Sequence, residues 1–130
     1  MGYLLDSDII IDFLKNKESA VSLLQQIGDQ QWFISIISWL EILYGIEKST
    51  RPKKRRGEFE KFLSLSQTSI LPLEKKVGRQ FIRLKVNLEK KGQRLADFDL
   101  LIAATALGHQ LTLVTGNKKH FNRINHLKLL

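Results

Sequence analysis

The sequence predicts an α/β fold, a three-layer α/β/α arrangement around a central, mostly parallel sheet of four or five short strands, in a single domain spanning residues 1–130. Three observations carry that expectation. Short aliphatic or β-branched runs alternate with amphipathic stretches along the whole chain, the order expected of parallel strands joined by helical crossovers. The runs are apolar throughout instead of alternating with polar residues, as strands covered on both faces are. The stretch Asp97–Leu107 is Ala-rich and nearly all apolar, which suits a helix buried against such a sheet.

Each element follows in order. Tyr3-Leu4-Leu5 is an apolar run that stops at Asp6. Ser7 or Asp8 is placed to cap a helix carrying Ile9, Ile10, Phe13 and Leu14. Glu18–Ile27 puts Val21, Leu24 and Ile27 on one face, and Gly28-Asp29 ends it. Trp32–Ile37 is β-branched and aromatic and reads as a buried strand. Ser38-Trp39-Leu40-Glu41 has the S-x-x-E form of a capping box, so a helix with Leu40, Leu43, Tyr44 and Glu47 is expected from there. Lys48–Arg56 reads as a basic connector with Pro52 suited to a helix start, and Phe59, Phe62 and Leu63 mark the helix behind it. Ser69–Leu73 is a further short strand. In Glu74–Lys91, Val77, Phe81, Leu84 and Leu88 form a stripe at helical spacing among many cations, and Gly92 ends it. Leu111–Thr115 reads as a strand, Asn117–Phe121 as one helical turn and Leu127–Leu130 as an edge strand.

Composition narrows the function. Lys and Arg number 21 against 13 Asp and Glu, a formal net charge of +8, which favours a polyanionic partner, nucleic acid first. No cysteine is present, so disulfides and thiolate metal sites are excluded, as suits a reducing cytoplasm. Neither a signal peptide nor a membrane span is expected: Asp6, Asp8 and Asp12 interrupt the first apolar stretch, and Trp32–Ile46 is too short and carries Glu41.

The acids are more informative by place than by number. Asp6 directly follows the first strand, Glu41 comes just after the second, Asp99 opens the Ala-rich helix and Asn117 follows the last buried strand. In an open parallel sheet those points meet at the carboxyl edge, where ligands bind. Two carboxylates about 4 Å apart repel by roughly 4 kcal/mol at an effective dielectric of about 20. Such a set either takes up protons or holds a divalent cation, and all-oxygen donors favour Mg²⁺, with Mn²⁺ as a substitute. Each acid also has a plainer reading. Glu41 serves equally as the partner of Ser38 in a capping box, and Asp99 as a complement to the helix dipole. Asp97 is placed as the N-cap of its helix, and Asp8 and Asp12 as surface acids.

Several segments together resemble the PIN-domain family, and within it the VapC-type toxins. Leu4-Leu5-Asp6-Ser7-Asp8 resembles the opening L-L-D-[ST]-[ND], and Ile36–Gly45 resembles S-x-x-x-x-E-[IL]-x-x-G with its acid on Glu41. Asp99–Ala106 matches D-x-L-I-A-A-x-A, and Leu113–Asn117 with His120-Phe121 resembles L-V-T-x-[ND]-x-x-x-F. The resemblance implies a PIN-like fold and a metal-dependent single-strand endoribonuclease that cuts transfer or ribosomal RNA and arrests translation. It implies Asp6, Glu41 and Asp99 as metal ligands, with Thr115 and Asn117 completing the site. It further implies a homodimer neutralised by a VapB-type antitoxin, whose groove would involve Trp39, Leu40, Leu43, Tyr44, Phe59 and Phe62. Asn117 departs from the Asp common in the family and removes one negative charge. A non-catalytic RNA- or protein-binding module of the same fold is the alternative, though all three acids are retained. A structure-specific DNA nuclease fits less well in so short a chain.

The run Arg51, Lys53, Lys54, Arg55 and Arg56 reads either as an RNA phosphate contact or as a solvated connector. His120 belongs to the family-like tail, and His109 and His126 read as surface residues. No phosphate-cradling glycine loop, nucleophile elbow or zinc signature is found.

Overall fold

A computed structural model describes residues 2–130. Strands β1 (Gly2–Leu5), β2 (Gln31–Ser35), β3 (Ser69–Leu71) and β4 (Thr112–Val114) form one sheet in the order β3-β2-β1-β4, with every neighbouring pair parallel. The helices are α1 (Ser7–Leu14), α2 (Glu18–Ile27), α3 (Ile36–Lys48), α4 (Pro52–Ser66), α5 (Lys75–Lys90), α6 (Asp97–Gly108) and α7 (Lys118–Phe121).

Side chains alternate across a strand, so consecutive leucines serve opposite layers. Leu4 and Leu113 face a core built with Leu88 of α5, Leu100, Ile102 and Ala103 of α6, and Phe121. Leu5, Ile34 and Val114 face the other core, with Ile10, Leu24, Ile42 and Phe59 of α1–α4. Leu4 and Leu5 are both fully buried, and each such side chain contributes about 1.5–3 kcal/mol. That two-sided burial holds a strand of only four residues at the centre of the sheet. Helices α5 and α6 run antiparallel: Glu74 meets His109 at one end, and Lys85 meets Asp97 towards the other.

The architecture agrees with the expected three layers; several boundaries do not. Asp6, not Ser7 or Asp8, caps α1, its Oδ1 accepting from Ser7 N at 2.8 Å. Strand β2 ends at Ser35, and Ile36 and Ile37 begin α3. The cap is Ser35, whose Oγ accepts from Ser38 N at 3.0 Å, so the Ser38–Glu41 capping box does not form and Glu41 is freed from that role. Burial of Ile37 against the α5–α6 core outweighs the weak helix propensity of β-branched residues. Pro52 opens α4, so Lys53–Arg56 are helical and not a connector. Asp97 is the first residue of α6 and not its cap, which is Ala96. The expected edge strand at Leu127–Leu130 is reduced to one parallel bridge, Leu113 with Leu129. Among the described residues no helix is long and apolar enough to cross a membrane.

Candidate active site

The register of the sheet builds one crevice from distant residues. Leu5 pairs with Val114, so Asp6 and Thr115 emerge side by side at the carboxyl edge. Asp6 N donates to Val114 O at 2.9 Å and fixes the exit of β1. Asp6 is only 6% exposed, and its two oxygens are held separately: Oδ1 by Ser7 N, Oδ2 by the Thr115 hydroxyl at 2.7 Å. The same hydroxyl accepts from Asn117 N at 3.0 Å, so it both donates and accepts, and locks the turn after β4 to Asp6. Ser7 Oγ donates to Glu41 Oε1 at 3.0 Å, which ties the first turn of α1 to α3.

Asp99, in the first turn of α6, lies with its Oδ2 3.6 Å from His120 Nδ1, and Asn117 Nδ2 sits 2.8 Å from the same nitrogen. With its proton on Nε2, His120 accepts at Nδ1 from the Asn117 amide. Asp8 joins the group from α1. Its Oδ2 accepts from Gly116 N at 3.2 Å, while its Oδ1 is buried with no hydrogen-bond partner. A Cβ on residue 116 would stand 3.0 Å from Asp8 Oδ2, so glycine lets that carboxylate close over the turn.

The electrostatics follow from crowding. Burial pushes the Asp6 carboxyl up to about 7, with the charges of Asp8 and Asp99 adding to the effect and the bonds from Thr115 and Ser7 opposing it. Burial likewise raises Asp8, and it raises Glu41 with help from Asp99 and Asp8. An uncompensated cluster of this kind holds protons at neutral pH or binds a cation in their place.

A model of the PIN domain matches residues 3–127. The chain belongs to the PIN-domain family. It is 31% identical over 128 residues to ribonuclease VapC2 of Haemophilus influenzae, covering 98% of this chain and 96% of that protein. It is 28% identical over 128 residues to a tRNA(fMet)-specific endonuclease VapC of Shigella flexneri, with the same coverage. Among solved structures it resembles a chain of VapBC2 from Rickettsia felis bound to a promoter DNA fragment. There the TM-score is 0.91 at 32% identity, over 100% of this chain and 98% of that one.

In this PIN domain Asp6, Glu41, Asp99, Thr115 and Asn117 share one crevice, as their places in the sequence implied. Asp8, expected on the surface, lies inside it. The signal was present in Asp6-Ser7-Asp8: a helix that starts on a strand end keeps its first-turn acids at the same edge. Asp12 does stay outside, 3.3 Å from Lys17. Asp97 points to Lys85 at 3.0 Å and touches none of the crevice acids. By chemistry alone the carboxylates suit a hard divalent cation: their donors are oxygens, one buried carboxylate oxygen has no partner, and burial raises the Asp6 carboxyl to about 7. Among the described residues no group of three or more acidic or imidazole side chains is arranged to hold a metal ion in this structure.

The α4 run does not reach this crevice. Arg56 pairs with Glu47, which lies about 9 Å further along α3 than Glu41 at helical rise, and Arg55 pairs with Glu58 at 3.3 Å. Of the residues expected to line a partner groove, Phe59 and Phe62 are core, whereas Leu40 and Tyr44 are exposed. His109, expected on the surface, is mostly covered and lies 3.7 Å from Glu74.

Proposed function

We propose that this PIN domain is a divalent-metal-dependent endoribonuclease, the toxin of a VapBC-type toxin–antitoxin pair. It hydrolyses phosphodiester bonds in structured RNA, tRNA or rRNA, in the cytoplasm. The observation that carries the reading is the buried, doubly held Asp6 with Glu41, Asp99 and the partnerless oxygen of Asp8 around it. Asp6, Glu41 and Asp99 would hold Mg²⁺ or, as a substitute, Mn²⁺. When bound, such an ion offsets the charge of the phosphodiester and makes water a stronger nucleophile.

The chain's own residues do the rest. Thr115 keeps Asp6 turned into the crevice and fixes the turn that presents Asn117. Ser7 orients Glu41 by donating to it. Asn117 and His120 stand at the mouth, where their nitrogens are within reach of phosphate oxygens. The VapBC complexes support a VapB-type antitoxin as partner, and the assembled form of this reading is a homodimer. A groove of about 390 Å³ between α1, α3 and α4, floored by Ile11, Leu14, Ile42 and Ile46, is a seat for an apolar antitoxin segment.

The test uses purified protein and total bacterial RNA, with Mg²⁺ or with EDTA, beside an Asp99→Ala variant, and maps the new 5′ ends. Discrete cuts that need both the metal and Asp99 are expected. No cleavage by folded, antitoxin-free protein across several divalent metals overturns the reading in favour of a non-catalytic binding module.

A further inference from the structure

A second site lies beside the crevice on the opposite electrostatic footing. A groove of about 420 Å³ runs between α5 and the segment that follows α7. That is within the range of about 300–1,000 Å³ usual for ligand sites. Arg83 and Arg123 flank it, Asn87 and Asn125 offer amides, and Leu84 and Ile124 form part of an apolar floor. No acidic side chain lines it, and among the described residues neither arginine pairs with a carboxylate. Arg123 is held in place, Nη1 donating to Arg94 O at 3.1 Å, which leaves its other N–H groups free.

The groove is bordered by α6 and the segment after α7, two parts of the chain that also lead to the crevice. Asn117 and His120 at the crevice mouth lead through α7 directly to Arg123. On the other wall, α6 carries Asp99 at its crevice end and Leu107 in the groove, about 12 Å apart at helical rise.

We propose that this groove is an RNA subsite that takes the single strand flanking the scissile bond. Arg83 and Arg123 neutralise its phosphates, and the apolar floor with its amide rim receives a base. The inference rests on the endoribonuclease reading and adds where the substrate lies. Unpaired guanidinium groups suit phosphate because they present a planar fork of donors.

The test compares steady-state cleavage of a dinucleotide and of a longer single strand containing the same cleavage step. Arg83→Glu is made alone, because the Arg83 side chain makes no hydrogen bond within the chain among the described residues, and Arg83→Gln/Arg123→Gln is made beside it. The wild type is expected to favour the longer strand in KM. Each variant narrows that preference by about tenfold, as the loss of charge-assisted hydrogen bonds does. The double variant also lowers the log–log salt slope of binding by about 1.4, since each phosphate contact on a single strand adds about 0.7. An unchanged length preference and salt slope in variants that melt like the wild type overturns the subsite and leaves the nuclease intact. A shift in oligomeric state, with RNA binding preserved, overturns it in favour of a subunit interface. Failure of the wild type to bind or cut any RNA overturns both readings.

Discussion

At the carboxyl edge of the sheet, Asp6, Asp8, Glu41 and Asp99 crowd together with little to neutralise them beyond two hydroxyls, two backbone N–H groups and the imidazole of His120. On α5, the sequence KKVGRQFIRLKVNLEK sets six cations against one acid, and the groove beside it carries two unpaired arginines. The two regions share α6, yet one lacks positive charge and the other lacks negative charge. A chain of +8 thus still gathers four acids at one edge and leaves two unpaired arginines in the adjoining groove. Each deficit has the sign of a different part of the same ligand complex, the cation and the phosphate backbone. The comparison teaches that net charge alone says little about binding; what matters is which charges the fold leaves without a partner.

The largest effect comes from emptying the acidic side of the comparison. Asp6→Ala removes the central carboxylate and is expected to lower cleavage by more than about a hundredfold, beyond what losing a group one layer out from a metal costs. Circular dichroism and melting establish that the variant is folded. Cleavage near the wild-type rate would remove Asp6 from the proposed coordination.

Next in size is the dependence of stability on pH. The Asp6 carboxyl titrates at about 7 when folded, against 3.8 for an unperturbed side chain. Between those values the folded chain holds a proton that the unfolded chain has released. Its contribution to stability is therefore complete below the unfolded pKa and is lost as pH rises through the folded one. Divalent cation replaces the proton, so stabilisation by added Mg²⁺ grows over the same interval. Asp6→Asn keeps an acceptor for Ser7 N and carries no charge. In EDTA at about pH 8 it should melt higher than the wild type, the gap closing towards about pH 5, and it should lose most of the Mg²⁺-dependent gain. A wild type whose metal-free melting temperature is flat over that range would show that burial does not hold Asp6 protonated.

How legible these two regions were differs for a physical reason. The acidic crevice was readable because strand ends and helix starts are local features: Asp6 after Leu5, Asp99 opening an apolar helix, Thr115 and Asn117 after an apolar run. Parallel order then places them together. The cap at Ser35 was not readable, since only the packing of Ile37 decides that two β-branched residues leave the strand for the helix. Asp8 was misplaced for a similar reason. Its oxygen is held by Gly116 N, which is 108 residues away in the chain and next to it in space. The basic groove was invisible, because sequence shows where arginines are and not whether a carboxylate meets them. By density of charge, Arg51–Arg56 looked the better RNA contact.

The α4 run supplies the smallest expected effect and the sharpest control. Arg55 and Arg56 are both exposed to solvent in part and both paired, with Glu58 and Glu47. Exposed pairs of this kind contribute about 0–1 kcal/mol, and a paired guanidinium must leave its carboxylate before it can serve a phosphate. Arg55→Ala/Arg56→Ala is therefore expected to change KM for RNA by less than about twofold, within what such a weak pair is worth, while removing as much formal charge as Arg83→Gln/Arg123→Gln. Equal losses from the two double variants would mean that only total charge governs binding. Unequal losses, with the groove variant the weaker binder, would mean that partnering within the fold decides which cations reach the RNA.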